Sequence, residues 1–293
     1  MRPDSTEDRH PGTVDIDTWE PQATIEAILT EDLAGVRAAM SVSAELATLV
    51  EQAHAQIRAG GRIHYFGAGA SGRLAFLDAT ESRPTFGVEG LFTAHFPGGS
   101  DALLDSSIDR EDAEAAGAED AGILTSDDVA IGVTASGSTA YVRGALAEAR
   151  RRGAYTALIA NRAGASLSNS VDLAIEAATG PEALTGSTRL KAGTATKVLL
   201  NAFSTALMMR AGRTWSNLMV QMVATNSKLD ERAVRILAMA TEAPEADCRT
   251  ALATCDGELP VALTAMLSGV EVEPAREALA VSGTVRAAVR ALT

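Results

Sequence analysis

The run from Gly61 to Arg73, Gly-Arg-Ile-His-Tyr-Phe-Gly-Ala-Gly-Ala-Ser-Gly-Arg, constrains this chain more than any other stretch, because it joins a strand to a helix through a glycine-rich turn. Ile63 to Phe66 reads as a buried strand, and Gly67, Gly69 and Gly72 with Ser71 turn the chain into a helix predicted to start near Gly72. Glycine lets the backbone approach a ligand closely, the N–H groups of a helix start have no partner within the helix, and the helix dipole favours negative charge. Such a turn suits an anion, with phosphate the natural guest.

Four further short apolar runs, Leu91 to Phe96, Val129 to Val133, Thr156 to Ala160 and Leu173 to Ile175, alternate with helical segments. That alternation predicts an α/β fold, a parallel sheet flanked by helices. Residues 1 to about 20 read as an irregular arm, and Pro21 opens a helical pattern through Ile25, Ile28, Leu29, Leu33 and Val36. A second helix is expected over Ser43 to Arg58, and a strong helical pattern covers Ala192 to Met209. Leu218 to Thr225 could be helix or strand on periodicity alone. Beyond Leu229 the chain is Ala-rich and helical, interrupted by Pro244, Pro260 and Pro274. The expected organisation is an N-terminal arm and helices over 1–50, a sheet domain over 51–228 and a small helical subdomain over 229–293.

The 38 acidic residues against 25 basic ones give a formal net charge of -13, which argues against nonspecific binding of a nucleic-acid backbone. An anionic ligand must then be held by local groups. The first 60 residues are acidic and carry no basic helix-turn-helix. There is no apolar leader at the N-terminus and no uncharged apolar run of 18 residues, so no membrane partner is expected and the expected compartment is the cytoplasm. Cys248 and Cys255, with six residues between them and no His nearby, read as a reduced intracellular pair rather than a zinc site.

Three segments place small hydroxyl residues among glycines in expected loops. They are Gly67 to Arg73, Thr134-Ala135-Ser136-Gly137-Ser138-Thr139 after the strand ending at Val133, and Thr185-Gly186-Ser187-Thr188-Arg189-Leu190-Lys191. In an open parallel sheet the strand ends face one crevice, so these loops can converge on one phosphosugar. Gly69, Ser71, Ser136, Ser138, Thr139, Ser187 and Lys191 are therefore candidate substrate-binding residues. Arg73, Arg189, Lys191 and Lys197 are basic residues expected to lie near enough to these loops to neutralise a phosphate. Glu81 would lie roughly 14 Å along the helix that the first loop opens, at ~1.5 Å per residue. The run Asp109-Arg110-Glu111-Asp112-Ala113-Glu114, taken alone, reads as a solvated helix face.

Several longer strings resemble the N-acetylmuramic acid 6-phosphate etherase family. These are Gly-Ala-Gly-Ala-Ser-Gly-Arg-Leu from Gly67, Asp-Ala-Thr-Glu from Asp78, Pro-Thr-Phe-Gly from Pro84, the stretch from Gly180 to Lys197, and Asn217 to Leu229. Thr6-Glu7-Asp8-Arg9 and Asp15-Ile16-Asp17 extend the likeness to most of the chain. The resemblance implies a sugar isomerase (SIS) domain, a homodimer with sites near the subunit interface, and no metal or redox cofactor. It also implies cleavage of the lactyl ether of N-acetylmuramic acid 6-phosphate to N-acetylglucosamine 6-phosphate and D-lactate, by elimination followed by water addition. The family's acid falls on Glu81 through the Asp-Ala-Thr-Glu string, and its second glutamate, the base, falls on Glu111 with Asp112 and Glu114 close by. Departures are Ser82-Arg83 where Cys-Pro is common in the family, and Asn161-Arg162-Ala163-Gly164 where it tends to have Asn-Pro-Gly.

Two other readings use the same loops. The stretch from Gly180 is shared with the glucokinase regulatory protein, a noncatalytic phosphosugar sensor with two such domains, whereas this chain has room for one. An aldose–ketose isomerase is the third. Glu81 in its string favours the etherase, because a sensor needs the hydroxyl loops and no acid.

Overall fold

Ile63, Tyr65 and Phe66 in one apolar run and Val129, Ile131 and Val133 in another are fully buried, as central strands of a sheet covered on both faces must be. The computed structural model of the chain describes residues 5–105, 108, 110–222 and 227–293. The chain forms two units, Met1–Thr80 with Gly90–Ser204, and Glu81–Glu89 with Thr205–Thr293.

In the first unit, α1 (Pro21–Ser41) and α2 (Ser43–Arg58) precede five strands: β1 (Ile63–Gly67), β2 (Phe92–His95), β3 (Val129–Thr134), β4 (Tyr155–Ala160) and β5 (Leu173–Glu176). All pairings are parallel, in the spatial order β2-β1-β3-β4-β5. Each strand expected from the sequence is present, with its ends within one residue of those expected. The helices that follow the strands are α3 (Gly69–Phe86), α4 (Gly99–Leu104), α5 (Glu114–Asp120), α6 (Ala140–Arg151) and α7 (Lys191–Arg210). From β1 the chain steps outward to β2 and then returns to the other side of β1 as β3. The strand order reverses there, with Gly67 in register with Val133, so the carboxyl ends of β1 and β3 flank the crevice where open parallel sheets bind ligands.

The helix expected near Gly72 starts three residues earlier, at Gly69. Strand end and helix start are packed directly together: a Cβ on Gly72 would lie 2.3 Å from the Gly67 carbonyl oxygen. Only glycine fits, and the helix can begin at once. Farther along α3, the buried Asp78 carboxylate accepts hydrogen bonds from Tyr65 Oη on β1 and Ser204 Oγ on α7, each at 2.9 Å. Burial pushes this carboxyl up to about 6. The N-terminal arm, expected to be irregular, is docked. Thr6 is buried, Thr13 Oγ1 donates to the Ala183 carbonyl at 2.8 Å, and His10 Nε2 lies 3.2 Å from Glu31.

The second unit packs α8 (Ser227–Thr241), α9 (Glu245–Thr254), α10 (Leu259–Ser268), α11 (Val272–Ser282) and α12 (Val285–Leu292) around Leu237, Cys248, Leu263 and Val285. Both cysteines are buried free thiols. Leu218 to Met222 is neither helix nor strand. Trp215 and Leu218 exchange backbone hydrogen bonds around Ser216, whose φ is 51°, and this turn breaks the apolar periodicity. Val223, Ala224 and Thr225 of that stretch lie outside the described residues, as does Asn226. Among the described residues no single helix is long and apolar enough to cross a membrane.

Candidate active site

Thr134 at the end of β3 organises the second hydroxyl loop. Its Oγ1 lies 2.8 Å from Thr139 Oγ1 and 3.4 Å from Ser136 Oγ, and accepts from the Gly137 N–H at 3.3 Å. Ser136 Oγ in turn accepts from the Ser138 N–H at 3.3 Å and from Ser138 Oγ at 3.1 Å. The far side of the loop is anchored through the Gly137 carbonyl, which accepts from the Leu167 N–H and Ser166 Oγ. The result is a preorganised group of hydroxyls beside the N-terminus of α6.

These hydroxyls line a cavity of about 150 Å³, where Ser136, Thr139 and Thr134 meet Ser71 from the start of α3, Thr188 from the third loop, Glu7 and Glu111. Among the described residues no Lys or Arg is on its wall. Neutral O–H donors and the N-terminal N–H groups of α3 and α6 are therefore its attraction for an anion. A second cavity, of about 200 Å³, adjoins it. Gly69, Arg73, Phe96, Pro97, Ile108 and Arg110 line this one, and it shares Ala68 and Glu111 with the first.

Glu111 owes its place to helix packing. The acidic run is not a helix face: Glu111 and Asp112 form a turn, and α5 begins only at Glu114. Asp109 lies outside the described residues. The Glu111 carbonyl accepts from the Tyr141 N–H in the first turn of α6 at 3.0 Å. α5 crosses α6 closely enough that a Cβ on Gly117 would lie 2.0 Å from the Tyr141 oxygen, and one on Gly144 2.0 Å from the Glu114 oxygen. Arg143 clasps Glu114 with two hydrogen bonds of 3.0 and 2.7 Å, and the hydrogen bond from Arg143 holds that carboxyl below the usual range. At the pocket end, a methyl on Gly69 would lie 3.2 Å from Glu111 Oε1. Neither Asp112 nor Glu114 lines either cavity.

The other expected site residues are placed unequally. Gly69, Ser71, Ser136 and Thr139 come together at the two cavities, whereas Ser138 is exposed, lines neither cavity and donates to Ser136 Oγ. From the third loop it is Thr188, not Ser187, that lines the wall. The structure does not bring Lys191 to the cavity. Its ammonium is buried against Glu31 of α1, and its N–H, like that of Ala192, donates at 2.9 Å to the buried Glu182 carboxylate. Glu182 thus caps α7, and burial pushes its carboxyl up. Glu81 belongs to the second unit, where it is exposed and its carbonyl accepts from Thr85 Oγ1 at 2.8 Å. Glu7 and Arg110 are lining residues that sequence reasoning did not single out. A signal for Glu7 was present in the Thr6-Glu7-Asp8-Arg9 string, while nothing local marks Arg110. Among the described residues no three His, Cys, Asp or Glu side chains converge as metal ligands.

The sequence matches the glucokinase regulatory protein N-terminal SIS domain over residues 45–150 and the SIS domain over residues 109–206. The N-acetylmuramic acid 6-phosphate etherase of Thermobifida fusca (strain YX) is 50% identical over 264 residues, which are 90% of this chain and 87% of that protein. The protein of the same name from Rubrobacter xylanophilus is 42% identical over 287 residues, 97% of this chain and 95% of its own. Among solved structures, a phosphoheptose isomerase from Francisella tularensis superposes with a TM-score of 0.51 at 16% identity, covering 65% of this chain and 100% of that one, a likeness of fold. With relatives this similar along nearly their whole length, the chain belongs to the N-acetylmuramic acid 6-phosphate etherase family.

Proposed function

We propose that this protein cleaves the D-lactyl ether of N-acetylmuramic acid 6-phosphate, giving N-acetylglucosamine 6-phosphate and D-lactate. The relatives carry that activity in their names. The observation that supports it in this chain is the shared wall: Glu111 stands beside a hydroxyl-lined cavity suited to a phosphate. A carboxylate there serves a reaction, whereas a noncatalytic sensor has no need of one.

In this reading the phosphate is held by Ser71, Ser136 and Thr139, with Ser138 supporting Ser136. Glu111 removes the C2 proton of the open-chain aldehyde. The electron pair left on C2 forms the C2–C3 double bond as the C3–O bond breaks, and Glu81 protonates the departing lactate oxygen. Water then adds at C3 and a proton returns to C2, so the sugar gains a hydroxyl where the ether stood. A carboxylate acting as base and a carboxylic acid acting as donor suit these two steps.

The working form is proposed to be a cytoplasmic homodimer. An apolar stripe on α1, with Ile25, Leu29, Leu33 and Met40 each more than half exposed, supports self-association. The activity is tested by incubating the purified chain with N-acetylmuramic acid 6-phosphate and measuring D-lactate. Stoichiometric release of D-lactate and N-acetylglucosamine 6-phosphate is expected, and no release under conditions where a relative is active would reject the reading.

A further inference from the structure

The substrate in this reading carries two anions, a phosphate on C6 and a carboxylate on the lactyl group at C3, and the first unit has two adjoining cavities of different chemistry. One offers hydroxyls, among them those of Ser71, Ser136 and Thr139, with the carboxylates of Glu7 and Glu111 on the same wall. The other offers Arg73 and Arg110 with an apolar wall of Phe96, Pro97 and Ile108. We propose that this second cavity seats the lactyl group, its carboxylate meeting Arg73 and Arg110 and its methyl resting on Phe96 and Ile108. The inference rests on the etherase reading and deepens it, because it names what distinguishes the substrate from the product sugar.

Arg73 is held ready for this. Its Nε donates to the Leu103 carbonyl at 2.9 Å and one Nη to the Ala102 carbonyl at 3.2 Å, while the guanidinium carbon stands 5.2 Å from the centre of the Phe96 ring. A guanidinium fixed in this way loses little freedom on meeting a carboxylate, and its planar fork matches one. The Arg110 carbonyl accepts from the Ala113 N–H at 3.0 Å, tying Arg110 into the turn that carries Glu111. Position agrees with chemistry. Glu111 is on the wall common to both cavities, so a sugar with its phosphate in one and its lactyl group in the other would bring C2 and C3 to that carboxylate.

The test uses two unreactive ligands, the sugar alcohols obtained by reducing C1 of N-acetylmuramic acid 6-phosphate and of N-acetylglucosamine 6-phosphate. Without the aldehyde, C2 holds its proton and neither ligand turns over. Calorimetry on the native chain should find the lactyl-bearing ligand at least about tenfold tighter, the size expected for a charge-assisted pair. Arg110→Gln should cut that preference at least about fivefold and leave the affinity of the lactyl-free ligand within about twofold. Equal affinities in the native chain, an unaltered preference in Arg110→Gln, or both affinities falling together would overturn the proposal. The last would put the arginine on the phosphate. D-lactate release is measured separately, so a chain that prefers the lactyl ligand but releases no D-lactate would reject the activity and leave the subsite standing.

Discussion

A main-chain hydrogen bond decides which carboxylate of the acidic run faces the cavity. Glu114 is committed to Arg143 and Asp112 lines neither cavity, while the carbonyl of Glu111 is fixed by the Tyr141 N–H and its side chain is on the wall. Glu111→Gln should therefore abolish exchange of the C2 proton with deuterated water together with D-lactate release, each by at least about a hundredfold, the usual contribution of a general base. Glu81→Gln should fold normally, retain the exchange and lose D-lactate release. Normal exchange in Glu111→Gln would move the base to Asp112 or beyond. Ser136 stands on the same wall, where its hydroxyl can meet a phosphate oxygen in ground and transition state alike. Ser136→Ala should accordingly raise KM more than it lowers kcat, and an unchanged KM would remove the residue from the phosphate site.

At the scale of elements, the strands were legible because burial on both faces writes itself as continuous apolar runs, and the hydroxyl loops because glycine and serine cluster where a strand must turn into a helix. Contacts between distant residues were not legible. Nothing near Glu111 says that its turn is set by Tyr141, and nothing near Lys191 says that Glu31, 160 residues away, occupies its ammonium. Gly117 and Gly144 carry the first of these contacts, since they let α5 and α6 approach until side chains are excluded. Gly144→Ala should thus separate the two helices, costing about 1–3 kcal/mol in thermal or denaturant unfolding and lowering kcat by displacing Glu111. Native activity and stability in that variant would mean that the crossing does not position the carboxylate.

The edge of the sheet supplies a pH-dependent element. His64 on β1 and His95 on β2 approach to 3.0 Å with their rings stacked; burial, then the neighbouring charge, pushes His64 down to about 4, and burial lowers His95 as well. The native state therefore resists protons that the unfolded chain takes up near its ordinary value of about 6.5. The stability involved is complete above that pH and is lost as the pH falls towards about 4. Asp78 slopes the other way: its raised carboxyl favours the folded state at low pH, and this contribution is lost as the pH rises through about 6. Thermal unfolding of the native chain should show lower stability at pH 5 than at pH 7, because the histidine pair outweighs Asp78, and His64→Gln should flatten or invert that difference, since Asp78 then opposes what is left. An identical pH dependence in the variant would exclude the histidine pair as its source.

At the scale of the whole molecule, a chain of net charge -13 has few reasons to stick to itself by chance, so an ordered apolar stripe on its surface calls for a partner. Ile25, Leu29, Leu33 and Met40 fall within about 80° of arc at 3.6 residues per turn, a single ridge along α1. Their exposures of 56, 58, 60 and 68% leave most of that ridge in water if the chain is alone. A second copy related by a twofold axis would lay the same ridge against its equivalent, and self-complementarity of this kind is how most homodimers close. Sedimentation of the purified chain at micromolar concentration should give twice the 30.3 kDa of one chain. Leu29→Glu with Leu33→Glu should shift it to a single chain without unfolding it, because both positions are already solvated in the isolated subunit. A native chain sedimenting as a monomer would reject the dimer, whereas a dimer that survives the double substitution would place the interface on another surface.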